Sequence, residues 1–65
     1  MQITLANNLR DLRKNKNLTQ EELAGYLNIS PQAISKWERG EGFPDIAMLP
    51  VIANYFGVSI EYFLE

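Results

Sequence analysis

Apolar residues recur along the chain at the spacing of amphipathic helices, and no segment alternates in the way of a half-buried strand. Leu5, Leu9 and Leu12 form one apolar stripe on a helix predicted over residues 4–15. Two further stripes follow the same spacing and consist of Leu23, Ala24 and Leu27, and of Leu49, Ile52, Ala53 and Phe56. The pattern predicts an all-α fold.

Capping residues predict where the second and third helices begin. Thr19 opens the second helix, because Thr19 and Glu22 fit a capping box in which each residue satisfies a backbone N–H of the other. Ser30 and Pro31 open the third helix, since serine is a favoured cap and proline is tolerated at the first helical position. Gly40 is expected to end the third helix in a left-handed conformation.

Two shorter helices are predicted towards the C-terminus. The fourth begins between Asp45 and Met48, because Pro50 is tolerated only in the first turn of a helix, and it ends at residues 56–57. Ser59 caps a last short helix that carries Ile60, Tyr62, Phe63 and Leu64. This last helix either pairs with a second copy of the chain or completes the core of one copy. The sequence therefore predicts a compact bundle of five helices.

Length and composition limit the kinds of function that the chain can have. Its 65 residues form one domain, residues 1–65, with 46% apolar and 22% charged residues. The absence of cysteine and histidine excludes disulfides, thiolate nucleophiles and the commonest metal ligand. We expect no enzyme, cofactor, metal or small-molecule ligand. No segment suits a signal peptide or a membrane span, so a cytoplasmic location is expected.

Charge is distributed unevenly along the chain. Residues 1–40 contain six basic and four acidic residues, a net charge of +2, whereas residues 41–65 contain four acidic residues and no basic one. The total of −2 therefore hides a basic segment that could face a polyanion. Chance clustering on a solvated surface is the alternative at this point.

The third helix separates an inner face from an outer face. Ile34 and Trp37 are expected to pack against the second helix. The outer face is polar and contains no acid; it consists of Gln32, Ser35, Lys36 and Arg39. Amide and cationic side chains suit the edges of adenine and guanine, although a solvated face is the common alternative. The short link across residues 28–29 is typical of a helix-turn-helix.

Several spaced motifs resemble the Cro/C1-type family of bacterial and phage repressors, also called XRE-like. They are residues 18–24 (LTQEELA), 27–30 (LNIS) and 34–40 (ISKWERG), with further similarity over 9–13 and 52–59. The resemblance covers essentially all of residues 5–64. It implies a lambda-repressor-like bundle with a helix-turn-helix at about residues 20–39, whose third helix enters the major groove of DNA.

The resemblance also implies roles for individual residues. Base edges would be contacted by Gln32, Lys36, Ser35 and Pro31. Pro31 departs from the family pattern, because it has no side-chain donor and offers only an apolar contact. Phosphates would be contacted by Gln20, Ser30, Arg39 and Arg10, and Gln20 would also brace the third helix. The alternative for Gln20 and for Arg10 is a solvated surface residue. Arg13 and Glu38 match positions that form a structural salt bridge between the first and third helices.

Together these features predict a sequence-specific, duplex-DNA-binding transcriptional regulator, expected to be a repressor. A homodimer on a palindromic operator, with half-sites roughly 34 Å apart, would compensate for the low charge of one copy. The alternative is an antitoxin-like or adaptor module that uses the same fold to bind protein.

Overall fold

The computed structural model describes residues 5–64, which form four α-helices and one 3-10 helix. The α-helices are α1 (Leu5–Asn15), α2 (Gln20–Leu27), α3 (Pro31–Glu38) and α4 (Met48–Phe56), and the 3-10 helix spans Ile60–Phe63. No run of residues within 5–64 forms a β-strand, so the all-α prediction is confirmed. Thr4, where the first helix was expected to begin, lies outside the described residues.

The predicted count of five α-helices is wrong by one, because the last element is a 3-10 helix. Its four residues are held by short-range bonds from the N–H of Tyr62 to the carbonyl of Ser59 and from that of Leu64 to Glu61. Leu64 then turns to an extended conformation, with φ −120° and ψ 151°. A segment this short, ended by an extended residue, has no room for repeated bonds across four residues.

The starts of α2 and α3 follow the capping signals in the sequence, whereas Ser59 precedes the 3-10 helix without a side-chain cap bond. The hydroxyl of Thr19 accepts from the backbone N–H of Glu22 at 3.0 Å, and the Glu22 carboxylate accepts from the Thr19 N–H at 2.8 Å. At α3 the hydroxyl of Ser30 accepts from the N–H of Ala33 at 3.2 Å, and Pro31 occupies the first helical position. Both caps satisfy donors that the helix itself leaves unpaired.

The fourth helix begins at Met48, inside the predicted window. Pro50 is the third residue of α4, where its missing N–H breaks no intrahelical bond. The N–H of Met48 instead bonds the carbonyl of Asp45 at 2.8 Å and closes the preceding turn. The helix ends at Gly57, whose φ of 71° lies in the left-handed region.

One apolar core connects all five elements. Its buried members are Leu5, Leu9, Leu23, Ala24, Leu27, Ile34, Ile52, Ala53 and Phe63. Trp37 is half-buried against this core beside Ile34, as predicted for the inner face of α3. Phe63 is fully buried, whereas Tyr62 is 42% exposed. The 3-10 helix therefore completes the core with one side and presents a tyrosine outward with the other.

None of the described helices has the length and hydropathy that a bilayer crossing requires.

Two glycines with open space around them provide a test of the backbone. An added Cβ would meet no neighbouring atom at Gly25, inside α2, or at Gly57, which has a positive φ. We expect Gly25→Ala to raise the free energy of unfolding by about 0.5–1 kcal/mol, because alanine favours a helix interior. Gly57→Ala should lower it by about 1 kcal/mol, since a side chain is strained there. Thermal denaturation followed by circular dichroism measures both. A loss of stability in Gly25→Ala would contradict the position of Gly25 inside α2 with open space around it.

Candidate nucleic-acid interface

The third helix turns one side to the core and the other to solvent. Ile34 is fully buried and Glu38 is 5% exposed, so these residues lie inside. Gln32 and Lys36 are exposed on the opposite side, and Ser35 is half-buried between them and the core. Two of the side chains expected to contact base edges are thus accessible to a large ligand.

A buried carboxylate ties α3 to the two preceding helices. Glu38 receives two bonds from the Arg13 guanidinium, from Nε at 2.7 Å and from Nη2 at 3.0 Å. The same guanidinium donates from Nη1 to the carbonyl of Leu18 at 2.8 Å, just before α2. Hydrogen bonding to Glu38 raises the pKa of Arg13, so the guanidinium keeps its charge. Arg13 and Glu38 therefore fix α3 relative to α1 and to the start of α2.

Gln20 contributes to the same polar cluster. Its side-chain Nε2 donates to Glu38 at 3.1 Å, and the residue is half-buried at the first position of α2. The sequence suggested a phosphate contact for Gln20, and the bond to Glu38 uses one of the two hydrogens of its amide nitrogen. The carboxylate thus orients the glutamine side chain at the beginning of α2.

Ser30 combines a cap with a possible surface contact. Its hydroxyl oxygen accepts from Ala33, while the residue itself is exposed at the beginning of α3. A hydroxyl that accepts a bond can still donate its hydrogen to another oxygen. Pro31, half-buried beside it, presents ring carbons and no N–H.

Arg39, expected to contact phosphate, is held by two neighbours. Its Nε and Nη2 donate to the two carboxylate oxygens of Glu41 at 3.1 and 3.0 Å, and its Nη1 donates to the hydroxyl of Ser35. No pattern in the sequence predicted a role for Glu41. An acidic residue directly after Gly40 is the signal that could have indicated the contact with Arg39. Predicting that contact also requires the conformation of the turn at Gly40.

Arg10 lies apart from this group. Its Nη2 donates to the side chain of Asn7 at 2.8 Å, one turn earlier on α1. None of its hydrogen bonds within the described part of the chain reaches α2 or α3. The structure thus joins Gln20, Arg13 and Glu38 in one cluster and Ser35, Arg39 and Glu41 in another, and leaves Arg10 on the surface of α1.

A tight turn joins α2 to α3 and completes the arrangement. Asn28 adopts a left-handed conformation with φ 60°, and the N–H of Ile29 bonds the carbonyl of Ala24 at 3.0 Å. Two helices across such a turn, with a buried polar cluster behind them and a polar face in front, define a helix-turn-helix domain.

The comparisons with known proteins identify the family. The chain belongs to the helix-turn-helix family HTH_3, whose model matches residues 9–63.

Its relatives differ in length from this chain. The HTH-type transcriptional activator BcrR of Enterococcus faecalis is 50% identical over 57 residues, which span 88% of this chain and 28% of that protein. The uncharacterized HTH-type transcriptional regulator MJ0272 of Methanocaldococcus jannaschii is 42% identical over 88% of this chain and 86% of that protein. A transcriptional regulator from Listeria innocua has a TM-score of 0.89 at 33% identity, over 97% of this chain and 59% of that one. The chain thus spans less than two thirds of the Enterococcus and Listeria proteins.

The ion pair behind α3 should be essential for stability. We expect Arg13→Met to lower the free energy of unfolding by about 3 kcal/mol, because it leaves the Glu38 carboxylate buried without its cation. Arg10→Met is the matched control, since it removes the same group from the surface of α1 and should change stability by less than about 0.5 kcal/mol. Urea denaturation of both variants measures the difference; equal small losses would show that the pair adds little to stability.

Proposed function

We propose that the chain binds duplex DNA sequence-specifically through α3 and regulates transcription. The observation that carries this proposal is the fixed orientation of α3: Glu38 is anchored inside while Gln32 and Lys36 are exposed outside. A helix presented in this way fits the major groove, which admits one α-helix. Family membership and the regulator names of its relatives support the same function.

The proposed contacts to bases come from the outer face of α3. Gln32 would pair with adenine and Lys36 with guanine, since their donors and acceptors match those base edges. Ser35 lies one turn after Gln32 and would contact an adjacent base once its bond with Arg39 rearranges. Pro31 would contribute an apolar contact, such as one to a thymine methyl group.

The proposed contacts to phosphate frame this face at the helix ends. Gln20 begins α2 and Ser30 precedes α3, so both stand at N-termini, which attract anions. Arg39, at the other end of α3, would add a charge-assisted contact. Arg10 would contact the backbone from α1. These contacts position the domain without selecting a sequence.

The charge of the chain favours paired binding. A net charge of +2 over residues 1–40 supports few phosphate contacts, so one copy would bind weakly. Two copies on a palindromic operator would double the contacts, and the exposed Tyr62 and Ile60 are candidates for the contact between copies.

Occupying a promoter is enough to repress it, whereas activation also needs a contact with the polymerase. Repression by occlusion in the cytoplasm is therefore the proposed outcome.

Selection from a random-sequence duplex pool tests the function. We expect the chain to enrich one motif, and Gln32→Ala combined with Lys36→Ala to abolish the enrichment, since these side chains would distinguish the bases. Lys14→Ala on α1 is the control and should retain the motif. If nothing is enriched and a protein partner is captured without salt dependence, the antitoxin-like or adaptor function replaces this one.

Lys36 and Arg39 should differ in the kind of affinity they provide. We expect Lys36→Ala to weaken preference at one base position, with a loss of about 1–3 kcal/mol on the preferred sequence only. Arg39→Ala should weaken binding to all sequences and lower the slope of affinity against salt concentration by up to about 1. Titrations on selected and scrambled duplexes at several salt concentrations separate the two. A sequence-dependent loss in Arg39→Ala would contradict a phosphate contact.

A further inference from the structure

The C-terminal end of α3 carries an ion pair on the surface that is proposed to meet DNA. Arg39 directs both Nε and Nη2 at the carboxylate of Glu41, with distances of 3.1 and 3.0 Å. The side chains are 53% and 55% exposed, so solvent and large ligands reach both. The pair thus lies where a bound duplex could contact it.

The backbone holds Glu41 in place beside the arginine. Gly40 has a φ of 74°, and the N–H of Glu41 bonds the carbonyl of Lys36 at 2.9 Å. These features form the usual left-handed termination of an α-helix, which fixes the first residue beyond it. The backbone of Glu41 therefore has a defined position at the C-terminal end of α3.

The carboxylate occupies the donors that a phosphate would need. A guanidinium binds carboxylate and phosphate in the same bidentate geometry. The edge of the guanidinium formed by Nε and Nη2 can therefore bind only one of these groups at a time. Hydrogen bonding from Arg39 lowers the pKa of Glu41, and the charge of Lys36 lowers it further. Glu41 is consequently negative at neutral pH, close to two cations of the outer face.

We propose that Glu41 competes with DNA phosphates for the guanidinium of Arg39 and thereby weakens binding to duplexes of every sequence. The inference rests on the proposed DNA-binding function and concerns its strength, not its sequence. The competition lowers the part of the affinity that comes from phosphates alone, which dominates binding to unrelated DNA. Occupancy of a site then depends more heavily on base contacts and on a second copy.

Glu41→Gln tests the competition, with Glu61→Gln as the control of equal charge change. Glu61 lies in the 3-10 helix, which packs on α1 and α4. On a scrambled duplex, Glu41→Gln should bind about threefold to tenfold tighter than wild type, as expected for one added charge-assisted contact. Its salt slope should steepen by up to about 0.9. On this scrambled duplex, which offers no paired half-sites, Glu61→Gln should change affinity less than about twofold, because the hydrogen bonds of Arg39 go to Glu41 and Ser35 and not to Glu61.

A double variant separates competition from simple repulsion between Glu41 and phosphate. If Glu41 acts through Arg39, Glu41→Gln adds nothing in an Arg39→Ala background, and the two substitutions are strongly coupled. An undiminished gain in that background would overturn the proposal in favour of direct repulsion. A gain no larger than that of Glu61→Gln, or a loss of affinity, would also overturn it.

The experiment distinguishes failure of this inference from failure of the proposed function. A wild-type chain that enriches a motif, combined with no gain in Glu41→Gln, leaves the function standing and refutes the competition. A wild-type chain that binds no duplex at any salt concentration refutes both. Circular dichroism of each variant verifies folding, which exposed glutamate-to-glutamine changes should leave intact.

Discussion

The orientation of the helix-turn-helix depends on the buried contact between Arg13 and Glu38. Two buried charges are costly to desolvate, and their pairing offsets that cost only when the geometry is satisfied from several sides. Here a guanidinium from α1, an amide from α2 and a carboxylate from α3 meet, and Arg13 also bonds the Leu18 carbonyl. Apolar contacts such as that of Ile34 tolerate small rotations, whereas this polar cluster does not. The cluster therefore sets which side of α3 faces outward.

The charge of the outer face of α3 follows from the burial of Glu38. Because the acid of α3 is turned inside at Glu38, the helix presents an amide, a hydroxyl and cations without a carboxylate of its own. Glu41 then returns a negative charge to the edge of this face, on the chain directly after the helix. A chain with a total charge of −2 can thus present cationic side chains on one face, with an acidic residue paired to a cation at one end of that face.

Local signals in the sequence predicted much of the fold. Thr19, Ser30 and Pro50 act within a few residues of themselves, so they located the helix starts that the structure has. A last short helix after Ser59 was predicted, but its 3-10 type was not, since apolar spacing over four residues does not distinguish a 3-10 helix from an α-helix. The Arg39–Glu41 contact was missed for another reason: it depends on the turn at Gly40 and on side-chain rotamers, neither of which leaves a periodic pattern. The base and phosphate contacts themselves stay predictions.

The way α3 begins has a consequence for how a duplex would be aligned. Pro31 has no N–H, and that of Ala33 is already bonded by Ser30. Among the first three helical positions, this leaves the main-chain amide of Gln32 as the donor that a sugar–phosphate strand would meet, while its exposed side chain would contact a base. Gln32 would then contact a phosphate through its main chain and a base through its side chain, and so fix the distance between the two contacts. Lengthening that side chain or shifting the proline by one position would alter the register of the whole domain along the double helix.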